Sequence, residues 1–177
     1  MKAINRILLG AAIFLGAATF ASCSSDNDRM IGKWETATPT TVFPTIPGTV
    51  SSTATTTIEF SKGTDSKSGP VKLTTIYEMT LPSDSTAMAP VSTVNASING
   101  TWTRDDKDDD DFFLSFDQNS LSVNAISAPE LGPVTQVFLS SLARYTRIDD
   151  VEVNKANTVL TFEDTADSSY VLSRIPE

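Results

Sequence analysis

Val94-Asn95-Ala96-Ser97-Ile98-Asn99-Gly100-Thr101-Trp102-Thr103 alternates without a break, small or apolar residues at even positions and polar ones at odd positions. An acidic turn follows, Arg104-Asp105-Asp106-Lys107-Asp108-Asp109-Asp110-Asp111, and then Phe112, Leu114 and Phe116 alternate with Phe113, Ser115 and Asp117. Successive side chains of a strand point to opposite faces, so the stretch up to Val123 reads as a long hairpin with one apolar face. Such a face is buried only against more sheet.

Outward from this hairpin the same period recurs. Thr56, Ile58 and Phe60 alternate with Thr57 and Glu59; Val71, Leu73, Tyr77, Met79 and Leu81 alternate with Lys72, Thr74, Glu78 and Thr80. Met30 to Thr36 reads as a first strand, Leu121, Val123 and Ala125 as a short one, and Val151–Val153, Val159–Phe162 and Tyr170–Ile175 as the last ones. Between Thr38 and Ser52, Pro39, Pro44, Pro47 and Gly48 interrupt helix and ladder alike, which predicts a long loop. That loop carries Val42, Phe43 and Ile46 and is expected to lie on apolar surface.

From Pro133 to Arg147 the period changes to that of a helix, with Val134, Phe138, Leu142 and Tyr145 on one stripe. Proline near its start and Arg144 and Arg147 at its end suit a helix. The expected fold is therefore all-β: an antiparallel meander of eight or nine strands with one short helix before the last strands. A closed barrel and a two-sheet sandwich both satisfy that pattern.

Residues 1–22 read as a signal peptide, with Lys2 and Arg6 ahead of an apolar run from Ile7 to Phe20 that is short for a membrane span. Phe20-Ala21-Ser22-Cys23 resembles a lipobox, the site at which bacterial lipoproteins are cut before the cysteine is acylated. The resemblance implies lipidation at Cys23, a membrane partner reached through the lipid anchor, and outer-membrane localisation. Two or three acyl chains suffice to hold a protein on a bilayer without a spanning helix. Residues 23–29 are expected to be the lipidated cysteine and a tether, and 30–177 a single domain. The Ser24-Ser25-Asp26-Asn27-Asp28 run also resembles the surface-export signal of some bacterial lipoproteins; a plain solvated linker explains it equally.

Gly32-x-Trp34 opening a meander of this length, a long loop after it, and late strands next to a helix together resemble the lipocalin-like (calycin-type) lipoproteins. The resemblance implies a barrel with Gly32 and Trp34 as the opening motif, the tryptophan plugging the closed end, and Val42, Phe43 and Ile46 as a lid over the open mouth. It also implies a small hydrophobic molecule as ligand; the alternatives are a structural or accessory surface protein whose barrel is filled by its own side chains and an adhesin-like module. The helix departs from the family pattern by preceding the last strands, and Arg174 is only a loose match to the family's later arginine. Gly100-x-Trp102 repeats the Gly-x-Trp spacing, and core packing is the default role of both tryptophans.

Formal charge is −9, and loss of Lys2 and Arg6 makes the remainder more acidic. Such a surface repels nucleic acid. The chain has no histidine and one cysteine, the one assigned to lipid, which removes histidine catalysis, histidine triads, thiol chemistry and zinc-thiolate sites. Its glycines are scattered singly, so no phosphate-binding loop is present. No enzyme activity, cofactor or metal is expected. The Asp105–Asp111 run lacks the spacing of a calcium loop and reads as a solvated hairpin tip. Asp84-Ser85-Thr86 and Asp164-Thr165-Ala166 resemble short bacterial O-glycosylation acceptors.

Overall fold

Strict alternation along the two longest strands sets the shape of the molecule. The computed structural model describes residues 26–42, 46–82, 91–108, 110–125 and 131–176. In chain order these form α1 (Asp26–Met30), β1 (Gly32–Thr36), β2 (Thr40–Thr41), β3 (Ser51–Phe60), β4 (Ser68–Thr80) and β5 (Val91–Arg104). Then come β6 (Phe112–Phe116), β7 (Ser122–Ala125), α2 (Leu131–Leu142), β8 (Arg147–Val153), β9 (Val159–Asp164) and β10 (Ser169–Arg174). In β4, Val71, Leu73, Thr75, Tyr77 and Met79 are buried; in β5, Ser92, Val94, Ala96, Ile98 and Trp102 are. The alternation runs straight through Thr75 and Ile76, which places a threonine inside and leaves Ile76 partly exposed.

All pairings are antiparallel, and β1 bonds both β3 and β10. That double pairing closes the sheet into an eight-stranded barrel and rules out the sandwich. The two additional strands continue existing ones: β2 carries the path of β1 along β3, and β7 carries that of β6 along β5. Between β6 and β7 the chain makes a single 3-10 turn at Gln118–Ser120, capped by the Asp117 carboxylate on the Asn119 amide. Pro70 sits inside β4, yet its carbonyl accepts from Ser61 N beyond the last paired residue of β3. Ser61 O, which faces the missing N–H of Pro70, accepts from Trp102 Nε1 instead.

The helix begins two residues earlier than its sequence pattern indicates and ends at Leu142, passing into a 3-10 turn at Ala143–Tyr145. Pro133 lies in the first turn, where its missing N–H has no intrahelical partner to lose. Val134, Phe138, Leu142 and Tyr145 are buried, as the stripe predicts, and join the core of the barrel. The helix packs on β5 and β7, and Ser141 hydrogen-bonds the hydroxyl of Tyr77 from β4. It therefore lies across the upper end of the barrel, where β4 finishes and β3 and β5 begin.

Met30 ends α1, and the first strand opens at Gly32 rather than at Met30.

Candidate functional site

The lower end of the barrel is closed by two Gly-x-Trp pairs. Trp34 is fully buried, and its Nε1 donates to Met30 O at 2.7 Å. Trp102 donates from Nε1 to Ser61 O at 2.9 Å and meets Phe112 edge-on at 6.0 Å. Each indole thus fills the interior while its one polar atom ties down a loop. Arg174, paired with Trp34 across β1 and β10, lays its guanidinium over the Trp34 ring at 4.3 Å from the centroid. Its Nη2 reaches Arg29 O, Ile31 O and Asn157 Oδ1. Gly32 has φ +135°, and a Cβ there would lie 2.5 Å from Arg174 Nη1. Glycine is what lets the arginine reach over the tryptophan. Gly100 plays a comparable part in β5, since a Cβ would meet Ser115 O of β6 at 2.2 Å.

Inside, Trp34, Phe60, Ile58, Leu73, Ile98, Phe112, Phe138, Ile148 and Phe162 are all below 2 % exposed or close to it and belong to one contiguous core. Towards the upper end hydroxyls enter: Ser52, Thr75 and Ser92 are buried, and Thr56 Oγ1 lies 3.2 Å from Thr75 Oγ1. Burial pushes the Tyr77 hydroxyl up to about 12, against the hydrogen bond from Ser141.

Of the three expected lid residues, Ile46 is buried and Val42 packs against the core. Their loop is fastened by Val42 N to Ser52 O and Val50 N to Thr80 O. Phe43 lies outside the described residues, as do Cys23 and Asp84-Ser85-Thr86.

The acidic hairpin tip is held by its own bonds. Asp105 Oδ1 accepts from Lys107 N at 3.0 Å, and Asp106 pairs with Lys67 at 2.6 Å. Asp111 is 8 % exposed and accepts from Arg147 Nη2 at 2.5 Å and Asp150 N at 3.3 Å. Arg147 also bonds Asp149 and lies over the Phe113 ring, and its two carboxylate partners, Asp111 foremost, raise its pKa. Nothing in a run of aspartates distinguishes the shielded one, since the β6 alternation puts position 111 in step with the outward Phe113 and Ser115 and its cover comes from Arg147 and Asp150 of β8. Among the described residues no cluster of acidic side chains is placed to hold a metal ion.

Asp164 is the other buried acid. Its Oδ1 accepts from the amides of Ala166 and Ser168, and its Oδ2 from the Tyr170 hydroxyl at 2.9 Å. Burial pushes its pKa up, but the amides of Ser168 and Ala166, the Tyr170 hydroxyl and Arg144 outweigh that and hold it below the usual carboxylate range. The group is the keystone of the β9–β10 turn, with Asp167 at φ 55° beside it. Neighbouring Thr165 donates to Ala143 O and closes the carboxyl end of the α2 segment. The chain matches no protein-family model, and no curated protein is similar to it in sequence.

Proposed function

We propose that this chain is a lipid-anchored cell-envelope protein, held at the outer membrane by an acylated Cys23. Its lipocalin-like barrel is packed by its own side chains and serves as an accessory or structural surface domain, without catalysis. The observation that carries the reading is the interior itself. A ligand site of this kind takes roughly 300 Å³ or more of apolar space, and side chains lining such a void would have accessible surface. Trp34, Phe60, Phe112, Phe138 and Phe162 have almost none. The lipocalin-like resemblance is supported by Arg174 on Trp34 and by Gly32 beneath it. Anchoring rests on the sequence around Cys23 and on the lack of another thiol.

A second reading keeps a small hydrophobic ligand under the 37–50 loop. Ser52 Oγ, buried without a hydrogen-bond partner, favours it, because an unpaired buried hydroxyl is costly. One pair of measurements separates the two. Cys23→Ala should move the protein out of the membrane fraction, and residues 24–177 should show no saturable uptake of a fluorescent fatty-acid analogue. Wild-type membrane recovery of the mutant removes the anchor, and saturable binding weakened by Phe43→Ala restores the carrier.

A further inference from the structure

The segment that follows Cys23 is fastened to the barrel almost at once. Within α1, Met30 is fully buried and its carbonyl holds the Trp34 indole. Arg29 O accepts from Arg174, the Arg29 guanidinium bonds Asn154 O, and Asp28 pairs with Lys62 at 3.3 Å. These bonds tie α1 to β10, to the β8–β9 turn and to the β3–β4 loop together. Three residue steps separate Cys23 from Asp26, and a fully extended chain covers at most about 11 Å in three steps. A domain of this length is roughly 35–40 Å across.

Resting on the lipid anchor proposed above, we infer that the lower end of the barrel faces the bilayer, held there by a leash shorter than half the body. The surface laid on the lipid is then α1 with the 61–67, 105–108 and 154–158 turns. The 37–50 loop, α2 and the β9–β10 turn point away from it and are what the molecule offers to its surroundings. The chemistry of the lower end fits a zwitterionic headgroup layer. Lys62 is neutralised by Asp28 and Lys67 by Asp106, and Arg174 is spent on Trp34 and backbone carbonyls. Together with Asp65, Asp105, Asp108 and Asp110 this leaves the end net acidic, so it does not demand an anionic lipid and is not expelled by a neutral one.

The test uses the full-length lipidated protein in phosphatidylcholine vesicles that carry a headgroup-attached nitroxide quencher. With the native cysteine acylated, Lys155→Cys at the lower end and Ser140→Cys on α2 each supply one site for a fluorophore. The expected result is strong quenching at position 155 and nearly none at 140. A twelve-residue Gly-Ser insert between Ser25 and Asp26 should bring the two close to equality. Equal or reversed quenching in vesicle-bound protein without the insert overturns the orientation while leaving the anchor intact. A large difference that survives the insert overturns the leash as its cause. Protein that stays free of the vesicles overturns the anchor and the orientation together.

Discussion

Along β4 and β5 the backbone pairs continuously from Ser68↔Thr103 to Thr80↔Val91, whereas β6 and β8 meet only at Phe112↔Ile148 and Phe113↔Arg147. The long wall is a hairpin of neighbours in sequence, and each of its steps repeats the last. The short seam joins strands separated by β7 and α2, and side chains complete what the ladder leaves out. Flanking bonds from Leu114 N to Thr146 O and from Val151 N to Asp110 O extend it by one step each way. A bulge in β8 at Asp150, φ 51°, turns that residue's amide toward Asp111, whose other oxygen takes Arg147. Repetition makes the wall tolerant. Particular contacts make the seam vulnerable.

The largest blow to the seam side should come from Phe138→Asp. This ring is wholly buried in the helix that covers the barrel beside β7, and a carboxylate there has no partner. A loss of more than about 4 kcal/mol is expected, read as a missing cooperative melt. An unchanged melting temperature would mean that the stripe is not what anchors α2.

Arg147→Met sharpens the contrast. It removes the cation from Asp111 while keeping the stem over Phe113. Hydrogen exchange should quicken at Leu114 and Val151 and stay unchanged along β4 and β5, with Tm falling by only about 2–4 °C. Uniform acceleration over both regions would erase the distinction.

Acid should act on the strands beyond the seam before it acts on the wall. Because the folded pKa of Asp164 lies below its ordinary 3.8, the unfolded chain binds more protons in that window. The stabilisation is complete above that value and is lost as pH falls through the folded pKa. Asp164→Asn should flatten this part of the stability profile as pH falls below the ordinary carboxylate range, and an unaltered slope would assign the titration elsewhere.

The smallest effect belongs to the wall. Ile76→Thr on its outer face should change stability by no more than about 0.5 kcal/mol, measured by urea denaturation.

The same contrast governs how much could be read from the chain. Alternation exposed β3, β4, β5 and β6 because an inward period of two survives in sequence, and the stripe Val134-Phe138-Leu142-Tyr145 exposed α2. Barrel closure was legible through the resemblance carried by Gly32 and Trp34 and not through alternation, since the pairing of Trp34 with Arg174 joins the two ends of the domain and leaves no local trace. Arg174 could be suspected only by resemblance; its place over Trp34 depends on Gly32, a residue whose role appears only when the strands meet. The start of α1 was hidden for a different reason. Its helix is a single short turn held by contacts to β8, β10 and the 61–67 loop, with too few residues to show a period. Asp111 and Asp164 were lost among many acids, because a buried carboxylate is defined by its donors rather than by its neighbours in sequence.

β7 pairs with β5 on one side, no second strand pairs with it among the described residues, and α2 packs close to it. An uncovered strand edge is a template on which another chain can add. The helix is therefore a guard against polymerisation as well as a piece of core. A molecule whose α2 has not yet docked offers Ser122–Ala125 to neighbouring chains. Docking of α2 withdraws that offer, so burial of the Val134-Phe138-Leu142 stripe and protection of the β7 edge are one event.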